Sequence, residues 1–502
     1  MMTTTDILLR SATDLVQLLR DGVISGRELL ERSLARIEET NPALNAVVTL
    51  AADRARREAD LADEARADGR QLGPLHGLPV TIKDSIETEG IRTTSGHAGF
   101  SEHVPSADAP AVARLRAAGA IVFGKTNLPE MAADCQSYNN LFGTTNNPWD
   151  LNRTPGGSSG GAATAIATGM SALELGSDLG GSIRIPAHFC GVYGLKPSFG
   201  IVPLAGHIPP PPGALAPIDI AVLGPIARHP TDLDLALSVI AGPHRGTGWR
   251  LALPPARHDR IGDYRVGVWL DDPCCSVDAD TKGLLGAAAS ALSDAGARVE
   301  SADAVAPAVA GAHDLAQRLI AAAFSHAIPD DEYQRLAKVA ASSSSLDHTP
   351  STRYARNVTQ TARDFNTALE MRAQLLAKWA EFFAEFDVLL CPATPAAAFA
   401  HDQSPDADAR TITVDGRTRP YGDQFAWLQA IGVAHLPAVS APLGFSQSGL
   451  PIGCQIVGPY LEDRTAIDLA RRLGALFGGF VAPPIGALQT QQTRQTQQTH
   501  FQ

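Results

Sequence analysis

Residues 156–186 read GGSSGGAATAIATGMSALELGSDLGGSIRIP. Two runs of small residues, 156–161 and 176–182, enclose an apolar segment. The window 156–200 holds 11 of the chain's 45 glycines, where an even spread would place about 4. Such a density marks backbone that must adopt positive φ, turn tightly or admit another group at close range. Between the runs, 161–168 is small and helix-compatible, 172–175 is strand-like, and Gly176-Ser177-Asp178 begins a loop. The first run leads straight into the helix, whose N-terminal N–H groups favour negative charge. In the second, successive N–H groups at Leu179, Gly180, Gly181 and Ser182 form a nest suited to an oxyanion. A Gly/Ser run by itself reads as a flexible linker, but both of these are flanked by regular structure.

Working outward, short strands alternate with helices, which argues an α/β fold. Residues 11–68 read as helical, with Ser25 and Glu28 forming a capping-box pattern before the stripe Leu29, Leu30, Leu34 and Ile37. Val80-Thr81-Ile82-Lys83 is a β-prone run ending at Lys83. A helix over 109–118 is stopped by Gly119, and Ala120-Ile121-Val122-Phe123 is the next buried strand. The stretch 127–154 is long and polar. Four consecutive prolines, 209–212, predict a stiff surface segment in an extended polyproline conformation. Residues 242–262 read as a loop-rich linker. Strand signals return at 264–270, 388–391 and 453–457, and helical ones at 279–296, 363–386 and 463–477. From Gln489 onward the chain is a Gln/Thr repeat, expected to be disordered.

Composition narrows the function classes. The length of 502 residues gives a prior of about three domains. Lys and Arg total 41 and Asp and Glu 53, a net charge of −12 that disfavours a nucleic-acid partner. The six cysteines, at 135, 190, 274, 275, 391 and 454, show no C-x-x-C pair. That argues against a zinc site and a disulfide framework, and fits a reducing compartment. There is no basic-then-apolar leader and no apolar run approaching about 18 residues, so a cytoplasmic protein without membrane contact is expected.

Two familiar patterns occur and neither sits in its proper context. Gly119-Ala120-Ile121-Val122-Phe123-Gly124-Lys125-Thr126 matches a phosphate-binding loop literally, but its four middle residues are themselves the apolar strand rather than a turn. An ATP-using enzyme requires that reading, and a nucleotide-binding assay decides it. Gly156-Gly157-Ser158-Ser159-Gly160 matches a nucleophile elbow, but 150–155 is not a strand and none of the 14 histidines stands out as a triad partner.

The two small-residue loops belong with three further segments: Gly77-Leu78-Pro79-Val80-Thr81-Ile82-Lys83-Asp84, Gly124-Lys125-Thr126-Asn127-Leu128-Pro129-Glu130 and Cys190-Gly191-Val192-Tyr193-Gly194-Leu195-Lys196-Pro197. Together they resemble the amidase signature family. Ser158 lies 75 residues after Lys83 and Ser182 lies 24 after Ser158, as the family pattern expects. Segments 386–392 and 450–458 extend the resemblance from about Ser25 to about Phe477. It implies a large mixed, twisted β-sheet covered by helices on both faces. An N-terminal helical segment (1–70) would pack on a single domain (71–488), with a core at 75–240, a C-terminal part at 263–488 and the Gln/Thr tail at 489–502.

The resemblance assigns a Ser–Ser–Lys triad. Ser182 is the nucleophile, Ser158 the bridging serine after a cis peptide at Gly157–Ser158, and Lys83 the base. The oxyanion hole comes from the N–H groups of Leu179, Gly180, Gly181 and Ser182. Gly157, Ser159, Asp178 and Arg184 support the loops, the last two through hydrogen bonds and an ion pair. The chemistry is consistent with the residues. A lysine near its reference pKa of about 10.4 is protonated at neutral pH, and burial beside Val80 and Ile82 lowers that value. Neutral Lys83 then takes the Ser182 proton through Ser158. A strand-end lysine paired with Asp84 is the structural alternative.

Acyl transfer to Ser182, release of amine and attack by water need no metal and no organic cofactor. The expected substrates are small apolar or aryl amides, with carbamates and esters as relatives. Candidate pocket residues are Met131, Asp134, Cys135, Gln136, Tyr421, Phe425 and Trp427, for whose aromatics core packing is an equal reading. Two alternatives stand beside this. One is an amidotransferase subunit releasing ammonia from glutamine for tRNA amidation, which needs a partner subunit. The other is a catalytically silent binding protein on the same scaffold. A monomer or homodimer is expected.

Overall fold

Along 388–391 burial alternates between two cores: Val388 and Leu390 join one apolar cluster, Leu389 and Cys391 another. The same happens at 121–123, where Val122 faces one cluster and Ile121 and Phe123 a second. A period of two with apolar residues on both sides is the mark of strands covered on both faces. The computed structural model, which describes residues 7–214, 216–244, 248 and 250–485, builds eleven strands into one sheet, its central ones covered on both faces.

In chain order the strands are β1 (Val47–Leu50), β2 (Pro79–Lys83), β3 (Ile121–Thr126), β4 (Leu173–Asp178), β5 (Tyr193–Lys196), β6 (Val222–Ala227), β7 (Arg265–Val268), β8 (Arg298–Ser301), β9 (Val388–Pro392), β10 (Ala438–Phe445) and β11 (Pro451–Val457). Their spatial order is β1-β3-β2-β4-β6-β5-β10-β11-β9-β7-β8. β2 is parallel to β3 and β4, whereas β6 is antiparallel to β4 and β5, so the sheet is mixed. Helices flank it: α1 (Ala12–Arg20), α2 (Gly26–Leu44), α3 (Ala52–Ala67), α4 (Pro110–Ala117), α5 (Gly160–Ala167), α6 (Arg184–Cys190) and α7 (Pro230–Ile240) in the first half. The second half adds α8 (Ala279–Asp294), α9 (Val309–Phe324), α10 (Asp330–Ser342), α11 (Pro350–Val358), α12 (Ala362–Glu385), α13 (Ala426–Gly432) and α14 (Asp463–Phe477). α5 and α6 are buried along their whole length. Among the described residues no helix is long and apolar enough to cross a membrane.

Four expectations are corrected. The segment 11–68 is not wholly helical: Asn45 ends α2 in the left-handed conformation, and the β-branched run after it becomes β1, antiparallel to β3 at the sheet edge. No loop begins at Gly176: β4 continues to Asp178 because 176–178 pair with 222–224 of β6. Residues 209–212 are not a continuous polyproline helix on the surface. The bonds Ile208–Pro209 and Pro209–Pro210 are cis, and Pro209 lines an internal cleft. The strands β5, β6, β8 and β10, the helices α6, α7 and α13, and the helices between 309 and 358 have no counterpart among the expected elements. The register of β10 with β11 shifts between Pro442 and Gly444. The Gln/Thr tail lies outside the described residues.

Candidate active site

Because β2 and β4 run parallel, with Thr81 opposite Glu174, their carboxyl ends lie side by side. Open α/β sheets offer a ligand crevice at such ends. Lys83 is the last residue of β2 and Ser177 the next to last of β4, while Ser158 lies just ahead of α5. Lys83 is fully buried; its Nζ lies 2.7 Å from Ser158 Oγ and 2.9 Å from Ser177 Oγ. Burial outweighs the attraction of Asp178 and Glu174 and brings the ammonium down to about 7. Asp84 is not its partner: that carboxylate accepts from Thr94 N at 3.1 Å and Thr94 Oγ1 at 2.5 Å.

The Gly157–Ser158 peptide is cis. A Cβ on Gly157 would sit 2.7 Å from backbone atoms of Asp134, Cys135 and Gln136, so only glycine lets the 134–136 backbone close over this loop. Ser159 N donates to Ser182 O at 3.0 Å, which joins the two small-residue loops.

Asp178 organises the second loop. Its Oδ1 accepts from Gly181 N at 2.9 Å and Arg184 Nη2 at 2.8 Å; its Oδ2 accepts from Ile183 N at 3.1 Å and Arg184 Nε at 3.0 Å. Burial alone would raise this carboxyl, but the Arg184 guanidinium holds it below the usual carboxylate range. Arg184 in turn donates from Nη1 to Leu428 O at 2.9 Å and Gln455 Oε1 at 2.7 Å. Gly181 therefore does not fit the donor role expected of it, because its N–H is taken by Asp178. The N–H groups of Leu179, Gly180 and Ser182 have no acceptor among the described residues, and neither the Ser182 hydroxyl nor the Ser158–Ser182 pair is hydrogen-bonded there.

Ser158 and Ser182 face one cleft of about 50 Å³, walled by Met131, Leu179, Leu204, Pro209, Ile218 and Phe324. Residues 130 and 133, which flank the cleft residues Met131 and Ala132, line a vestibule of about 450 Å³ with Asp134, Tyr138, Tyr421 and Phe425. Cys135 and Gln136 lie behind that wall. Cys135 Sγ donates to Tyr421 Oη at 2.9 Å and Gln136 Nε2 does so at 3.1 Å, while the Tyr421 hydroxyl donates to Asp134 Oδ1 at 2.5 Å. Arg410 closes the cluster with Nη1 at 2.6 Å from Asp134 Oδ2. Trp427 is not a pocket residue. It packs edge-on against Trp269 in the core, and its indole N–H donates to Cys275 O at 2.9 Å.

Two further residues belong to the site and do not stand out in the sequence. Ser177 lies inside the quoted stretch but reads there as part of a loop. His207 sits in the proline-rich segment, where nothing local marks it, yet its Nε2 lies 2.9 Å from Ser177 Oγ.

The Amidase family model matches residues 28–467. A glutamyl-tRNA(Gln) amidotransferase subunit from Synechococcus sp. (strain CC9605) is 34% identical over 493 residues, covering 94% of this chain and 97% of that protein. A 6-aminohexanoate cyclic dimer hydrolase complexed with substrate superposes with a TM-score of 0.77 at 29% identity, over 95% of this chain and 99% of that one. A chain from a vestigial protein complex that reveals the evolutionary origins of an s-triazine catabolic enzyme superposes at 0.79 with 30% identity, over 94% of this chain and 100% of that one. With eleven strands in one mixed sheet and this match over most of its length, the chain belongs to the amidase signature family, hydrolases of carbon–nitrogen bonds.

Proposed function

We propose that the protein hydrolyses small, uncharged apolar or aryl amides through an acyl-enzyme on Ser182, with carbamates and esters as chemical relatives. Ser182 Oγ attacks the carbonyl carbon while its proton passes through Ser158 Oγ to neutral Lys83. The N–H groups of Leu179, Gly180 and Ser182 receive the developing oxyanion. Lys83 returns the proton through Ser158 to the departing nitrogen, the C–N bond breaks, and the amine leaves. Water then attacks the ester by the same route, which releases the acid and restores Ser182.

The observation that carries the substrate class is the lining of the cleft. Its walls are apolar, and Asp178, the one carboxylate among the described residues there, is closed off by Arg184 and backbone N–H groups. Among those residues no free charge remains to hold the α-amino and carboxylate groups of glutamine. In the adjoining hollow Tyr138, Tyr421 and Phe425 offer faces to an aryl group, beside the charged Glu130, Asp134, Asp408 and Arg410. Glutamine hydrolysis is the second reading, favoured by the similarity to amidotransferase subunits.

A panel of anilides, primary amides, carbamates, esters and glutamine decides between them, with Lys83→Ala as the control. Turnover of anilides without glutaminase activity supports the proposal; ammonia release from glutamine alone overturns it. Ser182→Ala is expected to abolish both turnover and labelling by a fluorophosphonate, and full retention of activity would falsify the assignment of the nucleophile. A wild-type protein inert to every substrate and to the label would be a binding protein on this scaffold.

A further inference from the structure

His207 is half-buried at the cleft, between Lys83's hydrogen-bonded neighbour and the backbone of its own segment. Its Nδ1 lies 2.8 Å from Pro209 O, and its Nε2 lies 2.9 Å from Ser177 Oγ and 3.1 Å from Ser85 Oγ. A carbonyl oxygen only accepts, so Nδ1 carries a proton and donates. Loss of solvation in the cleft, reinforced by Lys83, takes the imidazole down to about 4, so the ring is neutral at physiological pH. Nε2 of that tautomer has a lone pair and no proton, so it only accepts, and of the two hydroxyls in reach Ser177 is the nearer donor, with Ser85 sharing the site. A hydroxyl has one proton, so towards Lys83 Ser177 Oγ acts as an acceptor only. Neutral Lys83 has two N–H bonds and one lone pair: one N–H goes to Ser177, and the lone pair is left for the Ser158 hydroxyl.

We propose that His207 is a positioning residue that sets the direction of the hydrogen-bond chain Pro209–His207–Ser177–Lys83, so that the lysine lone pair meets Ser158. This rests on Lys83 acting as the base. Without the acceptor at Nε2, the Ser177 proton is free to turn onto the Lys83 lone pair and compete with Ser158. The charged surroundings do not supply this control. Glu174 and Asp178 act on Lys83, Asp84 is bound to Thr94, and Glu87, beside Gly206, is paired with His103 at 3.0 Å.

The test uses the whole protein and reads kcat, KM and fluorophosphonate labelling rate between pH 5 and 10. His207→Asn keeps an N–H for Pro209 and removes the acceptor at Nε2. It is expected to lower kcat about tenfold or more, leave KM unchanged and shift the acid limb of the pH profile. Ser177→Ala removes the acceptor that anchors the Lys83 N–H and so should lower kcat as well, Ser177→Thr, which keeps the hydroxyl, should retain activity, and the double variant His207→Asn/Ser177→Ala should be no worse than either single one. A His207→Asn profile that superimposes on wild type overturns the proposal. So does multiplication of the two losses, or an unchanged kcat in Ser177→Ala should His207→Asn not fold. Lys83→Ala separates the two levels: activity surviving that change sinks the base assignment itself, whereas its loss together with an unaltered His207→Asn profile sinks only this inference.

Discussion

At Lys83, one desolvated nitrogen connects sequence to chemistry. The apolar strand Val80–Ile82 buries it, the nearby carboxylates do not offset the lost hydration, and the amine titrates near 7. In the proposed mechanism Lys83 must be deprotonated to accept the serine proton, so kcat/KM is expected to rise with pH through about 7 and level off above it. The same shift is a cost to stability, and that cost too is relieved as pH rises. The folded pKa lies below the ordinary 10.5, so the unfolded chain binds the extra proton between the two values. The penalty is full below the folded pKa and fades as pH rises towards the unfolded one. Lys83→Met should therefore stabilise the fold at pH 6 by about 1–2 kcal/mol in chemical denaturation while abolishing turnover. Asp178→Asn goes the other way: it leaves the Arg184 cation buried without its counter-charge, and urea unfolding should show a loss of about 3 kcal/mol or more. Lys83, Ser158 and Ser182 are legible in the sequence because each lies in a contiguous motif. His207 is not, since its meaning lies in what Ser177 brings to it across the fold.

Among elements, β2, β4 and the start of α5 position the chemistry, and the wall of the vestibule is set by contacts between distant segments. The Tyr421 hydroxyl gathers Asp134, Cys135 and Gln136, which fixes the 131–138 loop against the turn before α13. Tyr421→Phe should raise KM severalfold for aryl substrates with a smaller change in kcat, and cost about 1 kcal/mol of stability; equal KM values for the variant and wild type would refute that coupling. Four of the seven residues singled out as a pocket, Met131, Asp134, Tyr421 and Phe425, do line the cleft or the vestibule. Cys135 and Gln136 stand behind them, and Trp427 fills the core. Residue type cannot separate these places, because an aromatic is equally at home in a wall or an interior.

Across the whole molecule, the sheet divides by sequence. Strands from residues 47–227 occupy one side and strands from 265–457 the other, meeting where β5 pairs with β10. Arg184 reinforces that join, because it reaches from the Ser182 loop to Leu428 and Gln455 in the second half. Besides its buried apolar face, the N-terminal helix is held by a carboxylate of α7: Asp232 accepts from Ala12 N and Thr13 N at 2.9 Å each, at the start of α1. Asp232→Ala should cost about 1–3 kcal/mol and raise amide exchange in α1 well above that in α7. Equal protection of α1 in both proteins would show that apolar packing alone holds it.

The sequence by itself determined the α/β class, through strand periodicity and helix starts, and its resemblance to the amidase signature family singled out Lys83, Ser158, Ser182, Asp178 and Arg184. Only the tertiary structure decided that β4 runs on to Asp178, that Gly181 gives its N–H to Asp178 instead of the cleft, and that His207 stands behind Ser177. The reason is physical. A backbone conformation is written within a few residues, whereas the partner of a buried donor is whichever acceptor the packing of remote segments brings within reach.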